Sequence, residues 1–102
     1  MIPIQDFLLL AVGLFAIGVL GVILRRNALI VLMSIELMLN AVNLAAIAFG
    51  AFTPSLQAHA ALIALLVMAV AAAEATVGLA IVIAIYRNRR TPLVDEYASM
   101  RD

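Results

Sequence analysis

The chain has 102 residues, of which 68% are hydrophobic and only 12% charged. Soluble domains are about 45–50% apolar and about 25% charged, so this composition excludes a water-soluble globule and excludes disorder more firmly still. Net charge is zero with six Arg and no Lys, which argues against nucleic acid as a partner, and the absence of Cys excludes disulfides, thiolate catalysis and cysteine-ligated iron–sulfur clusters within this chain.

The opening, Met1-Ile2-Pro3-Ile4-Gln5-Asp6, lacks the positive segment that precedes the apolar stretch of a signal peptide. The first apolar run, Phe7 to Leu24, therefore reads as a permanent span. A second runs from Ala28 to Phe52 and a third from Ala60 to Tyr86. Each can cross about 30 Å of hydrocarbon, which takes about 20 helical residues. None alternates in polarity as a barrel strand does, and each is apolar all round, as membrane helices are. The expected fold is all-α: one membrane domain over residues 1–102, with three transmembrane helices at about 3–24, 28–52 and 59–86 and a polar tail from 87 to 102.

The breaks are polar. Arg25-Arg26-Asn27 is a short turn that makes helices 1 and 2 antiparallel neighbours. Thr53-Pro54-Ser55 separates helices 2 and 3, because Pro54 has no N–H and disfavours helix at Thr53. Arg87-Asn88-Arg89-Arg90 and Thr91-Pro92 end helix 3. Three spans put both Arg clusters on one side, and no Arg lies at the N-terminus or in the 53–59 loop. The positive-inside rule then predicts an outside N-terminus and a cytoplasmic C-terminus.

Two acids interrupt the spans. Glu36 lies about 13 Å and Glu74 about 18 Å from the cytoplasmic ends of their helices, counting 1.5 Å per residue. A mid-membrane carboxylate costs at least about 2.5–3.5 kcal/mol. No Arg, Lys or His lies within any span to pair with it. Each acid is therefore neutral or paired with a cation from another chain, and both states suit proton handling. A plain hydrogen-bonding link to a neighbouring helix is the structural alternative.

Asn40 and Asn43, at i+4 and i+7 from Glu36, extend a polar stripe along helix 2. The stripe suits ordered water, or interhelical hydrogen bonds worth about 0.6 kcal/mol each. Ser34 falls elsewhere on this helix. Around Glu74 the side chains are small (Ala71, Ala72, Ala73, Ala75, Gly78), and helix 1 carries Gly13, Gly18 and Gly21, so all three helices suit close packing against others. His59 reads as solvated, Asp6 as a polar helix start, the five Met as packing or lipid-facing residues, and Asp95, Glu96, Arg101 and Asp102 as a surface tail. A single His and no Cys make a metal site improbable.

With the Arg-Arg turn, the segment Ser34-Ile35-Glu36-Leu37-Met38-Leu39-Asn40-Ala41-Val42-Asn43-Leu44 and the segment Ala71-Ala72-Ala73-Glu74-Ala75-Thr76-Val77-Gly78-Leu79, the chain resembles the subunit K family of NADH–quinone oxidoreductase, respiratory complex I. Met1-Ile2-Pro3 and Val94-Asp95-Glu96 resemble it too, so the likeness covers the whole chain. The resemblance implies a membrane-arm subunit of a proton-translocating enzyme, with no active site of its own. FMN, iron–sulfur clusters and quinone would lie in other subunits. Glu36 and Glu74 would belong to the charged path between the quinone region and the antiporter-like subunits, with Asn40, Asn43, Arg25 and Arg26 in support. Partners would be the A, J and N types in an obligate hetero-oligomer, within the bilayer of a bacterial plasma membrane. The nearest rival is the C-type subunit of multisubunit sodium/proton antiporters. A small multidrug transporter would need four spans and more aromatic residues, and a purely structural protein would leave both acids without a purpose.

Overall fold

The computed structural model describes residues 2–89. Expectations for Arg90, Thr91-Pro92 and the tail residues Asp95, Glu96, Arg101 and Asp102 lie outside the described residues. Three α-helices follow in order, α1 (Ile4–Leu24), α2 (Ala28–Phe52) and α3 (Gln57–Arg89), with a 3₁₀ turn at Pro54–Leu56. All three are long and apolar enough to cross a membrane, so the described residues form an all-helical, multi-pass membrane fold.

Local chemistry sets the boundaries. α1 starts after Pro3, whose fixed φ suits a helix entrance, and Asp6 places a negative charge in the first turn, where the helix dipole favours it. The turn to α2 is short because Asn27 caps the next helix at once: its Oδ1 accepts the Leu29 N–H at 2.9 Å. α2 ends where Thr53, extended as residues before proline tend to be, passes the chain to Pro54 in the first position of the 3₁₀ turn. α3 begins two residues earlier than the expected 59–86 and runs three residues further, through Arg87 and Asn88 to Arg89. Polar side chains are poor membrane residues but adequate helix formers, so hydropathy stops before the helix does. At 33 residues α3 is about 50 Å long, well beyond a hydrocarbon core of about 30 Å.

α2 lies between α1 and α3 and packs on both. Phe7 meets Phe52 with ring centroids 6.0 Å apart, as antiparallel α1 and α2 require. The buried side chains are small: Ala11, Ala41, Ala48, Ala60 and Ala64. Large apolar residues such as Leu9, Ile23, Met33, Leu65 and Val77 face outward. In lipid, packing rather than water exclusion holds helices together, so the close-contact positions belong to residues with little or no side chain.

Candidate mid-membrane carboxyl site

Two kinds of seam flank α2. Toward α1, Gly18 and Gly21 face Ser34 and Met38. A methyl group on Gly18 would fall against Met38 and within 2.8 Å of the Ser34 carbonyl oxygen. Ser34 Oγ donates to the Ile30 carbonyl at 2.8 Å, which satisfies the hydroxyl within its own helix. Ser34 thus belongs to the α1 seam, apart from the Glu36 stripe.

Toward α3, two contacts fix the register. Gly78 packs on Leu32, where a methyl would sit 3.1 Å from Cδ1, and Gly50 packs on Ala60, where a methyl would sit 2.5 Å from the alanine Cβ. Glu36 is one turn from Leu32, and Glu74 is one turn from Gly78 in the matching direction, since the helices run antiparallel. The two acids therefore lie level with one another. Counting from helix ends separated them by about 5 Å in depth. The difference disappears because α3 projects past the start of α2.

Level does not mean alike. Glu36 shares the α3-facing side of α2 with Leu32, Asn43 and Gly50, by their spacing of four and seven residues. It is half-buried, and its Oε1 is fully enclosed. Asn43 is also half-buried with an enclosed Oδ1. Among the described residues neither oxygen has a hydrogen-bond partner. An enclosed acceptor left so costs about 1–3 kcal/mol, which calls for donors from outside the chain. Asn40 is exposed at the rim, so the structure divides the asparagine pair that the sequence placed together.

Glu74 lies beside the α2-facing stripe of Ala64, Val67, Ala71, Ala75 and Gly78, and is exposed. Neither acid is fully buried by this chain alone, so full enclosure of Glu74 requires another protein. Beside it, Thr76 Oγ1 donates to the Ala72 carbonyl at 2.8 Å and is occupied. Arg25 and Arg26 are exposed in the α1–α2 turn, at the same end of the molecule as Arg87. His59 is exposed near the opposite end.

A model of the NADH-ubiquinone/plastoquinone oxidoreductase chain 4L family matches residues 6–102. The chain belongs to this family. It is 56% identical over 102 residues, the full length of both chains, to NADH-quinone oxidoreductase subunit K of Anaeromyxobacter sp. (strain Fw109-5). Against the subunit K of Myxococcus xanthus the figure is 50% over 101 residues, 99% of each chain. Against NAD(P)H-quinone oxidoreductase subunit 4L of Leptolyngbya boryana it is 52% over 94 residues, covering 92% of this chain and 93% of the relative. The resemblance read from the two Glu-bearing segments is thereby borne out. Relatives in the chain 4L family carry the names of subunits of a quinone oxidoreductase, and this chain brings three helices long and apolar enough to span a membrane.

Proposed function

We propose that this chain is a membrane-arm subunit of proton-translocating NADH–quinone oxidoreductase, in which Glu36 and Glu74 take part in the proton or charge path. The observation that carries the proposal is the level pair of mid-membrane acids. One holds an enclosed, unpartnered oxygen and the other faces out of the chain. A single chain has no use for either state. Between neighbouring subunits the same pair becomes two stations of one path, with Glu36 on the inner side of α3 and Glu74 turned toward a partner.

The chain supplies no redox chemistry itself. It has no Cys to hold iron–sulfur clusters; the family resemblance implies that FMN, clusters and quinone lie in other subunits and that the partners are the A, J and N types. The bilayer is that of a bacterial plasma membrane. The positive-inside rule places Arg25, Arg26 and Arg87 in the cytoplasm and the 53–59 loop outside. In this cysteine-free sequence, cysteines introduced singly at Ser55 and Asn88 are expected to label from opposite sides, and labelling from one side would refute three spans.

The decisive experiment replaces each acid in the assembled complex. Gln keeps the shape and most hydrogen bonds but cannot titrate. Glu36→Gln and Glu74→Gln are each expected to lower quinone-linked turnover and proton pumping by roughly 100-fold, the low end for loss of a proton-transfer group, with assembly on native gels unchanged. Losses that only track the amount of assembled complex would reduce both acids to packing links. Purification in an assembly without flavin or iron–sulfur clusters would transfer the chain to the antiporter class.

A further inference from the structure

Glu36 and Asn43 share more than a face. The α2–α3 seam closes tightly at Leu32 on Gly78 and again at Gly50 on Ala60. Between these closures, one helical face carries two enclosed acceptor oxygens, Glu36 Oε1 and Asn43 Oδ1, without partners among the described residues. Opposite them α3 presents Ala64, Val67, Ala71 and Ala75, which offer no donor. The Thr76 hydroxyl, beside Ala75 on α3, is spent on its own helix. Positions 36 and 43 are seven residues apart, about 10 Å along the axis of α2, a length that a chain of about three hydrogen-bonded waters would bridge at roughly 2.8 Å spacing.

We propose that Asn43 is a positioning residue for the proton of Glu36: its side-chain amide anchors the far end of a short water chain that runs between α2 and α3 to the carboxyl. The amide can accept from one water and donate to the next, so it orders a chain without taking up a proton itself. The inference rests on the reading of Glu36 as a proton station and adds a direction to it. The chain leaves Glu36 toward Gly50, the end of the molecule opposite the Arg25-Arg26 turn. Asn40 is exposed at the rim and stands outside the chain. Among the described residues, the titratable group on α3 at this depth is Glu74, whereas α1 carries only Asp6, at its far end.

The test uses the assembled complex with three variants, Asn43→Leu, Asn43→Ser and Asn40→Leu. Leu matches Asn in size but repels water, whereas Ser leaves room and a polar anchor. Asn43→Leu is expected to lower proton-coupled quinone turnover about tenfold, short of the roughly 100-fold loss of a direct proton-transfer group, and to displace the pH profile of turnover at unchanged assembly. Asn43→Ser should recover most of the activity and the original profile, and Asn40→Leu should leave the pH profile in place. Equal effects of the two Leu variants, or a loss in Asn43→Leu with an unmoved pH profile, would overturn the positioning role. Glu36→Gln measured alongside separates the two levels of the argument. If it impairs turnover while Asn43→Leu is silent, the water chain alone fails. If both are silent, Glu36 is no proton station.

Discussion

The two seams of α2 solve different problems with the same residues. Toward α1, Gly18 and Gly21 bring helix backbones together against Ser34, no acid intervenes, and the hydroxyl at the contact is satisfied locally. Toward α3, glycine is used only at the two ends, Gly50 and Gly78, and the stretch between them holds Glu36 and Asn43 with unpartnered oxygens. The first seam holds no enclosed, unpartnered polar side-chain atom among the described residues and reads as a fixed joint. The second is closed at its ends and chemically incomplete in its middle. Close packing by small residues is thus a means in both seams, and only the polar inventory between the contacts tells a joint from a site.

The largest effect expected from breaking this distinction lies in the second seam. If Glu36 and Glu74 act in one path, the double Gln variant should turn over scarcely more slowly than the worse single variant, because groups acting as a unit are non-additive. Independent packing links would give stability losses that roughly add. The same samples, assayed for pumping and on native gels, decide between them. Glu36 is expected to be the more sensitive acid, since the Asn43 side of its face is enclosed while Glu74 is exposed.

Next in size is a change confined to the first seam. Gly18→Ala drives a methyl against a backbone carbonyl that cannot rotate away, so about 1–3 kcal/mol of overpacking strain is expected. It should appear as a lower melting temperature and less assembled complex, with turnover per assembled complex preserved. Gly13, which has nothing within 4 Å of an added methyl, is the control. If Gly13→Ala lowers assembly as much as Gly18→Ala, the outer face of α1 is itself in contact with a partner helix. The smallest effect belongs to the turn that joins the helices of the first seam. Asn27→Ala removes the cap on the Leu29 N–H and should cost about 1 kcal/mol, read as a modest drop in thermal stability without loss of pumping. A pumping defect at full assembly would show that this turn serves more than the joint.

Much of this arrangement was legible in the sequence because hydropathy and charge act along the chain. The three spans, the breaks at Arg25-Arg26-Asn27 and Thr53-Pro54-Ser55, and the two misplaced acids are one-dimensional signals. What hydropathy cannot give is angle and register. Asn40 and Asn43 both fall on the Glu36 side by helical spacing, yet the fold encloses the Oδ1 of Asn43 and leaves Asn40 exposed. Ser34 looked unassigned because its neighbour Gly21 is on another helix. That the two acids are level needs the register of α3 on α2, because distances counted from the two helix ends share no origin where α3 projects past the start of α2. The exposure of Glu74 follows from three helices that cover only one side of α3, and no pattern within one chain encodes what another chain brings to it.

The paired glycine contacts also determine which changes of length the protein can absorb. Gly50 on Ala60 and Gly78 on Leu32 mount α3 on α2 at two points, and the acids hang between the mounts. A residue added in the Thr53–Leu56 connection, or beyond Gly78, lies outside that frame and leaves the spacing within it intact. A residue inserted in α3 between Ala60 and Glu74 would instead turn one part of the helix by about 100° against the other and shift it by about 1.5 Å. One mount or the level of the carboxyls would then be lost. Homologous chains can therefore differ in their loops and ends, but the interval from Ala60 to Gly78 behaves as a ruler with a fixed count.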